Sequence, residues 1–335
     1  MILEPIEGFF LVTKDDLIFE VKGNVHPKDR IVAYLRYVPA KTGDRLATDG
    51  TKYKKIYDLL ERKEYLEKNF PKYLWKDSVH GRVVQAVNNS DVAFVLNPVD
   101  FLQQLRDSGI HLDPLQRASL RLAETLVNNF DLSWENLGLT GSQLTGLATL
   151  NSDIDLIVYG DSAGRKFYRS LKDNFDRVPE ICSYSGSALD RHVDFRWSSS
   201  LQKDQLKEIE TSKVLQGISN SYEFFIRIVK LTEEAGYNFG NLKFEGLGSL
   251  SIHCRIIDDS EAIFTPCYYV VECEQHPKLA KLVSYRGRFT EQVKKGMIVK
   301  AKGRLESVRT DDRDDYFLQL VMGENPDDYL IPVKK

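Results

Sequence analysis

The chain has 335 residues, of which 42% are hydrophobic and 28% are charged, so it holds enough apolar material to build packed cores. At about 100–200 residues per domain, this length favours several domains, and we predict three. The formal net charge of -3 excludes the strong overall positive field of a general nucleic-acid coat protein.

The sequence also bears on location. No apolar stretch approaches the ~20 residues of a membrane helix, and residues 1–10 lack the basic start and long apolar run of a signal peptide. The cysteines, Cys182, Cys254, Cys267 and Cys273, include no Cys-x-x-Cys pair. We therefore expect a cytoplasmic protein that is neither inserted in a membrane nor secreted.

Residues 1–108 are predicted to form an N-terminal α+β accessory domain. Apolar runs between turn residues indicate strands, and they lie at residues 8–12, 17–21, 31–38, 83–87 and 92–96. Residues 52–70 place Ile56, Leu59, Leu60 and Leu66 among charges at helical spacing, which predicts a helix that ends before Pro71. No spacing typical of a catalytic or metal motif occurs here, so a structural or recognition role is the interpretation.

Residues 109–238 are predicted to be a second domain with a helical extension. Asp113 and Pro114 supply an N-cap and a first-turn proline, and the apolar spacing that follows predicts a helix over residues 114–129. Further helices are predicted at residues 201–215 and 222–235.

Residues 239–335 change to a strand pattern. Strands are predicted at residues 250–257, 263–273, 283–289, 297–308 and 316–322. Five short strands joined by turns favour an OB-like barrel or a curled sheet.

The segment 137–160 carries the clearest chemistry. Residues 137–140 are a short strand candidate, and Gly141-Ser142 follows where the chain turns into a helical turn. Such a turn presents backbone N–H groups and a hydroxyl to a phosphate, and glycine lets the ligand approach the backbone closely.

Two carboxylates follow on one face of a predicted strand. Asp153 and Asp155 flank Ile154 at the start of the apolar segment 156–159. Because side chains alternate along a strand, both aspartates point the same way while Ile154 points into the core. Paired carboxylates beside a phosphate-binding turn suit a hard divalent cation, Mg²⁺ or Mn²⁺.

A third carboxylate is expected from another strand. Asp194 stands between Val193 and Phe195 in a short predicted strand over residues 191–197. Asp190 is the competing choice, but it precedes that strand and is interpreted as a turn cap.

Together, Gly141-Ser142, Asp153-Ile154-Asp155 and a later apolar-Asp-apolar strand resemble the nucleotidyltransferase superfamily typified by DNA polymerase beta, over residues 115–197. With the strand and helix patterns of the flanking regions, this predicts a multidomain α+β protein. Its central polymerase-beta-like domain, a mixed sheet with helices, would lie between the N-terminal α+β domain and the C-terminal barrel-like domain. The resemblance implies that Gly141 and Ser142 hold an NTP, and that Asp153, Asp155 and Asp194 bind magnesium and carry catalysis, with Asp194 helping to deprotonate the acceptor hydroxyl.

Each motif alone has a simpler interpretation, because Gly-Ser turns and Asp-x-Asp strand starts are common. Two hypotheses therefore remain. One is a metal-dependent nucleotidyltransferase that moves a nucleoside monophosphate from an NTP to RNA or another hydroxyl. The alternative is a catalytically silent nucleotide- or RNA-binding scaffold with a transferase-like fold.

A basic strand face in the C-terminal domain is a candidate acceptor-binding surface. Lys300, Lys302 and Arg304 alternate with smaller apolar residues, so they share one face. Tyr285 and Phe289 are candidate stacking partners for a nucleic acid. A solvated face without a partner is the alternative interpretation.

Overall fold

The computed structural model describes residues 4–107, 112–196, 203–310 and 315–333. The chain divides into two compact units. The first comprises Met1–Asp77, Arg82–Ile181 and Ile218–Phe239, and the second comprises Ser78–Gly81, Cys182–Gly217 and Gly240–Lys335. The predicted domain boundary at 108/109 lies outside the described residues. In the described ranges, no helix is long and apolar enough to cross a membrane.

The N-terminal part of the first unit is a twisted sheet with one long helix packed on it. Its elements are β1 (Phe10–Thr13), β2 (Ile18–Val21), β3 (Arg30–Pro39), β4 (Arg45–Leu46), β5 (Lys52–Lys55), α1 (Leu59–Asn69), β6 (Leu74–Asp77), β7 (Arg82–Asn88) and β8 (Val92–Leu96). The strand order is β4-β5-β3-β2-β1-β8, and β7 pairs with β3 and β6. The five strands predicted in this region are confirmed.

The helix predicted over residues 52–70 is wrong in its first part. Residues Lys52–Lys55 are strand β5, which pairs with β3. Helix α1 begins only after Asp58, whose carboxylate accepts hydrogen bonds from the backbone N–H groups of Leu60 and Glu61. This N-cap sets the start of the helix.

The rest of the first unit is built around a second sheet. The chain between residues 98 and 229 passes through both units, because residues 182–217 belong to the second unit. In chain order, its elements are α2 (Pro98–Asp107), α3 (Pro114–Asn129), β9 (Leu137–Leu139), α4 (Gly141–Leu144), β10 (Ile154–Tyr159), α5 (Asp161–Asn174), β11 (Ile181–Cys182), α6 (Gly186–Arg196), α7 (Lys203–Ser212), β12 (Gln216–Ser219) and β13 (Tyr222–Val229). The strand order is β11-β12-β13-β10-β9. Strand β10 runs parallel to β13 and antiparallel to β9. The predicted helix at 114–129 is confirmed as α3, which an Asp113–Gln116 capping box begins.

Two predictions of secondary structure are wrong: a predicted helix is a strand, and a predicted strand is part of a helix. Residues 222–235 were expected to be helical, but Tyr222–Val229 is strand β13, the parallel neighbour of β10. Residues 191–197 were expected to form a strand, but the segment as far as Arg196 belongs to helix α6. The helix forms because Leu189 and Val193, four residues apart, pack on one core. The prediction of Asp190 as a turn cap before a strand is wrong for the same reason.

The second unit contains α6, α7 and a six-stranded sheet. The sheet consists of β14 (Leu242–Asp258), β15 (Cys267–Glu272), β16 (Leu279–Ser284), β17 (Ile298–Thr310), β18 (Tyr316–Met322) and β19 (Tyr329–Pro332). Its order is β14-β15-β16-β18-β17-β19, and β14 pairs with β17 as well, so these pairings form a closed cycle. The predicted strands in this region are confirmed, except that the strand expected at 283–289 lies earlier, at β16.

Candidate active site

The predicted phosphate turn lies directly against a predicted metal carboxylate. The backbone N–H of Thr140 donates a 2.9 Å hydrogen bond to the carbonyl oxygen of Asp155. Gly141 follows with a φ of +70°, and a Cβ built there would lie 2.1 Å from Oδ2 of Asp155. Only glycine can occupy this position without displacing the carboxylate. The structure therefore brings together the turn and the carboxylate that the sequence pattern singled out.

Ser142 completes the turn. Its side chain is almost fully buried in α4, and its carbonyl accepts hydrogen bonds from Leu147 N and from Oγ1 of Thr145. These bonds fix the loop that leads from the turn to Asp153.

Asp153 and Asp155 flank the buried Ile154 at the start of β10. Asp153 is exposed, whereas Asp155 is half-buried. Burial, with a smaller contribution from the charge of Asp153, raises the pKa of Asp155 to about 7, while Arg227 and Lys55 act in the opposite direction. A divalent cation between the two carboxylates would relieve both the repulsion and the desolvation.

A buried charge cluster supports the same face of β10. Arg227 is paired in register with Ile157, so alternation places its side chain on the face that carries Asp155. Its Nη1 donates to Oε1 of Glu7 at 2.9 Å and to Oε1 of Glu20 at 3.1 Å. Burial alone would raise the pKa of Glu20, but Lys22, Arg36 and Arg227 hold it well below its usual value. Glu20 therefore remains ionised.

The N-terminal segment lies closely on β10. A Cβ at Gly8 would lie 2.3 Å from Cδ1 of Ile157. The Thr140 hydroxyl donates to the carbonyl of Gly8, and the Tyr159 hydroxyl donates to the carbonyl of Glu7 at 3.0 Å. The N-terminal sheet is thus part of the wall around the carboxylate pair.

Asp194 has different surroundings from those that the sequence analysis assigned to it. It lies on α6, in the second compact unit, whereas Asp153 and Asp155 lie in the first. Its carboxylate is 58% exposed and is 2.5 Å from Nζ of Lys203. Asp190, on the same helix, is 2.6 Å from Nζ of Lys207. Both aspartates are therefore surface ion-pair partners.

Sequence reasoning missed a carboxylate on the strand beside β10. The parallel pairing of β10 with β13 begins at Ile154 and Phe224, so Asp153 and Glu223 immediately precede paired residues. Alternation then places Glu223 on the face that carries Asp153 and Asp155. The signal was the alternating strand pattern of Tyr222–Val229, which was interpreted as a helix. Across residues 4–107, 112–196, 203–310 and 315–333, no group of three or more His, Cys, Asp or Glu side chains is arranged to hold a metal ion.

The predicted basic face of the C-terminal sheet exists, but most of its charge is paired. Along β17, Lys300 is exposed and Lys302 and Arg304 are half-buried, whereas Val299, Ala301 and Gly303 are buried. Lys302 is ion-paired with Asp327, and Arg304 with Glu306 and Glu324. Phe289 is fully buried, so its predicted role as a stacking partner is wrong.

Comparisons with known proteins identify the class of one domain of this chain. Residues 123–216 match the family model of the nucleotidyltransferase domain, so the chain contains a domain of that class. The chain is also 26% identical over 324 residues to "Uncharacterized protein MJ1086" of Methanocaldococcus jannaschii, covering 94% of each protein. No solved structure matches the chain.

Proposed function

We propose that this protein is a metal-dependent nucleotidyltransferase that moves a nucleoside monophosphate from an NTP to an acceptor hydroxyl and releases pyrophosphate. The observation that carries the proposal is the contact between Gly141 and the Asp155 carboxylate. This contact brings the proposed phosphate-binding turn next to the proposed metal-binding pair of carboxylates. The match to the nucleotidyltransferase domain supports the same reaction class.

In this proposal, Asp153 and Asp155 hold Mg²⁺ or Mn²⁺, and Gly141 and Ser142 hold the triphosphate. The bound cation supplies positive charge to the reacting phosphate and to the leaving pyrophosphate. The raised pKa of Asp155 supports the assignment, because burial and the charge of Asp153 outweigh the opposing charges of Arg227 and Lys55, and a bound cation would offset them. Arg227 keeps the adjacent carboxylates of Glu7 and Glu20 in place from the same face.

The third carboxylate is open to two assignments. Asp194 follows from the sequence pattern, and Glu223 follows from the register of β13 beside β10. We favour Glu223 as the proton acceptor, because it shares a face of one sheet with Asp153 and Asp155, whereas Asp194 is exposed on α6 in an ion pair with Lys203. A carboxylate on that face would accept the proton of the attacking hydroxyl.

The acceptor is proposed to be RNA or another hydroxyl compound. The cyclic pairing of β14-β15-β16-β18-β17, with β16 parallel to β18, supports an OB-like barrel, and barrels of that kind bind oligonucleotides. The ion pairs of Lys302 and Arg304 argue against the β17 face as the binding surface. A cytoplasmic location is proposed because the four cysteines, all among the described residues, form no disulfide.

Transfer can be tested with each of the four radiolabelled NTPs, with Mg²⁺ or Mn²⁺, and with or without total cellular RNA. The proposal expects labelled product and stoichiometric pyrophosphate only when the metal is present. Label in RNA would identify a nucleic-acid acceptor, and label in a small product would identify a small hydroxyl compound. Bound nucleotide without pyrophosphate under every condition would contradict the proposal and favour the silent scaffold.

A further inference from the structure

Two cationic side chains of the N-terminal sheet, Arg36 and Lys55, lie on one face of that sheet. Tyr37 of β3 is paired with Ile18 of β2 on one side and with Lys55 of β5 on the other, so these three side chains share a face. The register shifts at this point, because Ile18 pairs with Tyr37 while Phe19 pairs with Leu35. Arg36 is the extra residue of this bulge, and a bulge of this kind turns its side chain toward the face of the next residue.

This face packs on the loop between Gly141 and Asp153. Tyr37 is fully buried in a cluster that contains Leu144 and Leu147. Nη1 of Arg45 donates to the carbonyl of Leu147 at 3.2 Å and to Oγ1 of Thr149 at 3.4 Å. Lys55 lies beside Tyr37 on this face, with its Nζ 5.9 Å from the Tyr37 ring centroid. Lys55 and Arg36 therefore lie on the sheet face that packs on the loop between the predicted phosphate turn and the carboxylate pair.

The ammonium group of Lys55 lies near two aromatic rings. Its Nζ lies 4.8 Å from the ring centroid of Tyr57 and 5.9 Å from that of Tyr37, and among the described residues no carboxylate forms an ion pair with it. Arg36 is only loosely paired, with Nε 3.7 Å from Oε2 of Glu20. Glu20 is also shared with Lys22 and Arg227. The cluster therefore has positive charge to offer to a ligand.

The ring of Tyr57 lies close to both cations, Arg36 and Lys55. Its ring is 54% exposed, and the guanidinium carbon of Arg36 lies 5.7 Å from its centroid, while Nζ of Lys55 lies 4.8 Å from it. An aromatic ring attracts both cations electrostatically and so reduces the repulsion that would separate them. The arrangement holds two positive charges close to one exposed aromatic side chain on this sheet face.

We propose that Lys55 and Arg36, held by Tyr57, bind the phosphate groups of the nucleotide. This inference rests on the proposed function and adds to it a part that the N-terminal sheet contributes. A triphosphate brings several negative charges to two aspartates, and fixed cations beside the metal would balance them. It assigns the N-terminal sheet a direct role in substrate binding.

The test compares Lys55→Met with Lys54→Met. Lys54 is its neighbour on the opposite face of β5 and is paired with Glu61 at 2.7 Å, so its loss controls for the removal of one lysine from this strand. Binding of each NTP and of inorganic tripolyphosphate would be measured by calorimetry in the presence of Mg²⁺. We expect Lys55→Met to weaken both affinities at least about tenfold, because charge-assisted contacts to phosphate are lost.

Two further variants separate charge from shape. Lys55→Arg keeps the charge and is expected to retain both affinities within about threefold, whereas Arg36→Gln is expected to weaken them by about three- to tenfold. Lys54→Met should bind like the parent protein. Equal weakening by Lys55→Arg and Lys55→Met would overturn the inference, because it would indicate an effect of side-chain shape.

Unchanged affinity in both Lys55→Met and Arg36→Gln would also overturn the inference, and it would leave the proposed function to be judged by transfer itself. If the parent protein binds neither NTP nor tripolyphosphate and transfers nothing, both proposals are wrong. The temperature of thermal unfolding of each variant shows whether it is folded.

Discussion

Strand β10 and helix α6 each carry an aspartate between apolar residues, yet the two aspartates have opposite surroundings. Asp155 on β10 is half-buried, it touches the backbone of Gly141, and its pKa is raised to about 7 by burial and by Asp153. Asp194 on α6 is exposed and is paired with Lys203. The same local sequence pattern therefore gives a carboxyl group with a raised pKa on β10 and an exposed, ion-paired carboxylate on α6.

The difference shows that flanking residues alone do not determine the role of a carboxylate. In β10, the neighbouring strands β9 and β13 fix which way the side chains point. In α6, helical packing of Leu189 and Val193 turns Asp194 to the surface. The pKa of Asp155 is raised because burial outweighs the opposing positive charges, whereas the carboxylate of Asp194 is paired with a lysine at the surface.

The largest effect is expected at the contact between Gly141 and Asp155. Gly141→Ala would place a methyl group where Oδ2 of Asp155 lies, so we expect at least a ~100-fold loss of transfer, since small displacements of reacting groups are this costly. Gly146→Ala is the matched control, because Gly146 also has a positive φ, of +68°, but nothing lies within 4 Å of its Cβ position. That control should lose only about 1 kcal/mol of stability and little activity.

A comparison of transfer rates and thermal unfolding temperatures checks this expectation. If both alanine variants lose activity equally, backbone strain rather than the Asp155 contact is responsible. The contact between Gly141 and Asp155 would then not be needed for transfer.

The next effect distinguishes the two candidates for the third carboxylate. Glu223→Gln is expected to lower transfer by about 100-fold, because it would remove a charge from the face of the metal site. Asp194→Asn should change transfer by less than about twofold, since it removes only a surface ion pair. Steady-state transfer rates at several Mg²⁺ concentrations would measure both variants, and a large loss in Asp194→Asn with none in Glu223→Gln would restore the sequence-based assignment.

The raised pKa of Asp155 predicts a pH dependence of stability. With a chelator present, the folded protein binds a proton at Asp155 up to about pH 7, whereas the unfolded chain releases it near the ordinary value of 3.8. Between these values the folded state binds more protons, so the free energy of unfolding decreases as the pH rises.

Asp155→Asn removes this titration and should gain about 2–4 kcal/mol relative to the parent protein between about pH 4 and pH 8. Asp194→Asn serves as the control, with a change of less than about 1 kcal/mol. Denaturant unfolding at a series of pH values measures the difference. Parallel curves for the parent protein and Asp155→Asn would show that the Asp155 carboxyl group is not perturbed.

The smallest effect is expected on the basic face of β17. Replacing Lys300, Lys302 and Arg304 together with Glu should change transfer to a long RNA by less than about threefold at physiological salt, because two of the three cations already have acidic partners. Lys300→Glu alone tests the one cation of the three that has no ion pair among the described residues. A large loss of transfer with a shallower salt dependence in the triple variant would identify this face as the acceptor-binding surface.

The turn at Gly141-Ser142 and the common face of Asp153 and Asp155 could be predicted because their information is local. Gly141-Ser142 and Asp153-Ile154-Asp155 are separated by a short loop, and alternation in β10 is enough to place both aspartates on one face. Most strands of the N- and C-terminal sheets were predicted for the same reason, since their apolar runs are bounded by turn residues.

What could not be predicted depends on distant parts of the chain. Residues 222–229 contain apolar residues at spacings that fit either a helix or a strand, and the parallel pairing with β10 decides between them. The ion pairs of Lys302 with Asp327 and of Arg304 with Glu324 join residues that only the folded sheet brings together. Lys55 gave no sequence signal, because only the pairing of β5 with β3 places it beside Tyr37.

The central claim is that Asp153 and Asp155 support metal-dependent nucleotidyl transfer, and the most direct test is pyrophosphate release by Asp153→Asn plus Asp155→Asn. Removing both ligand charges should lower release at least about 1,000-fold, as expected when several kcal/mol of metal-based stabilisation are lost. The variant should unfold at or above the temperature of the parent protein, because like charges are removed. A folded double variant that releases pyrophosphate at the parent rate would contradict the account.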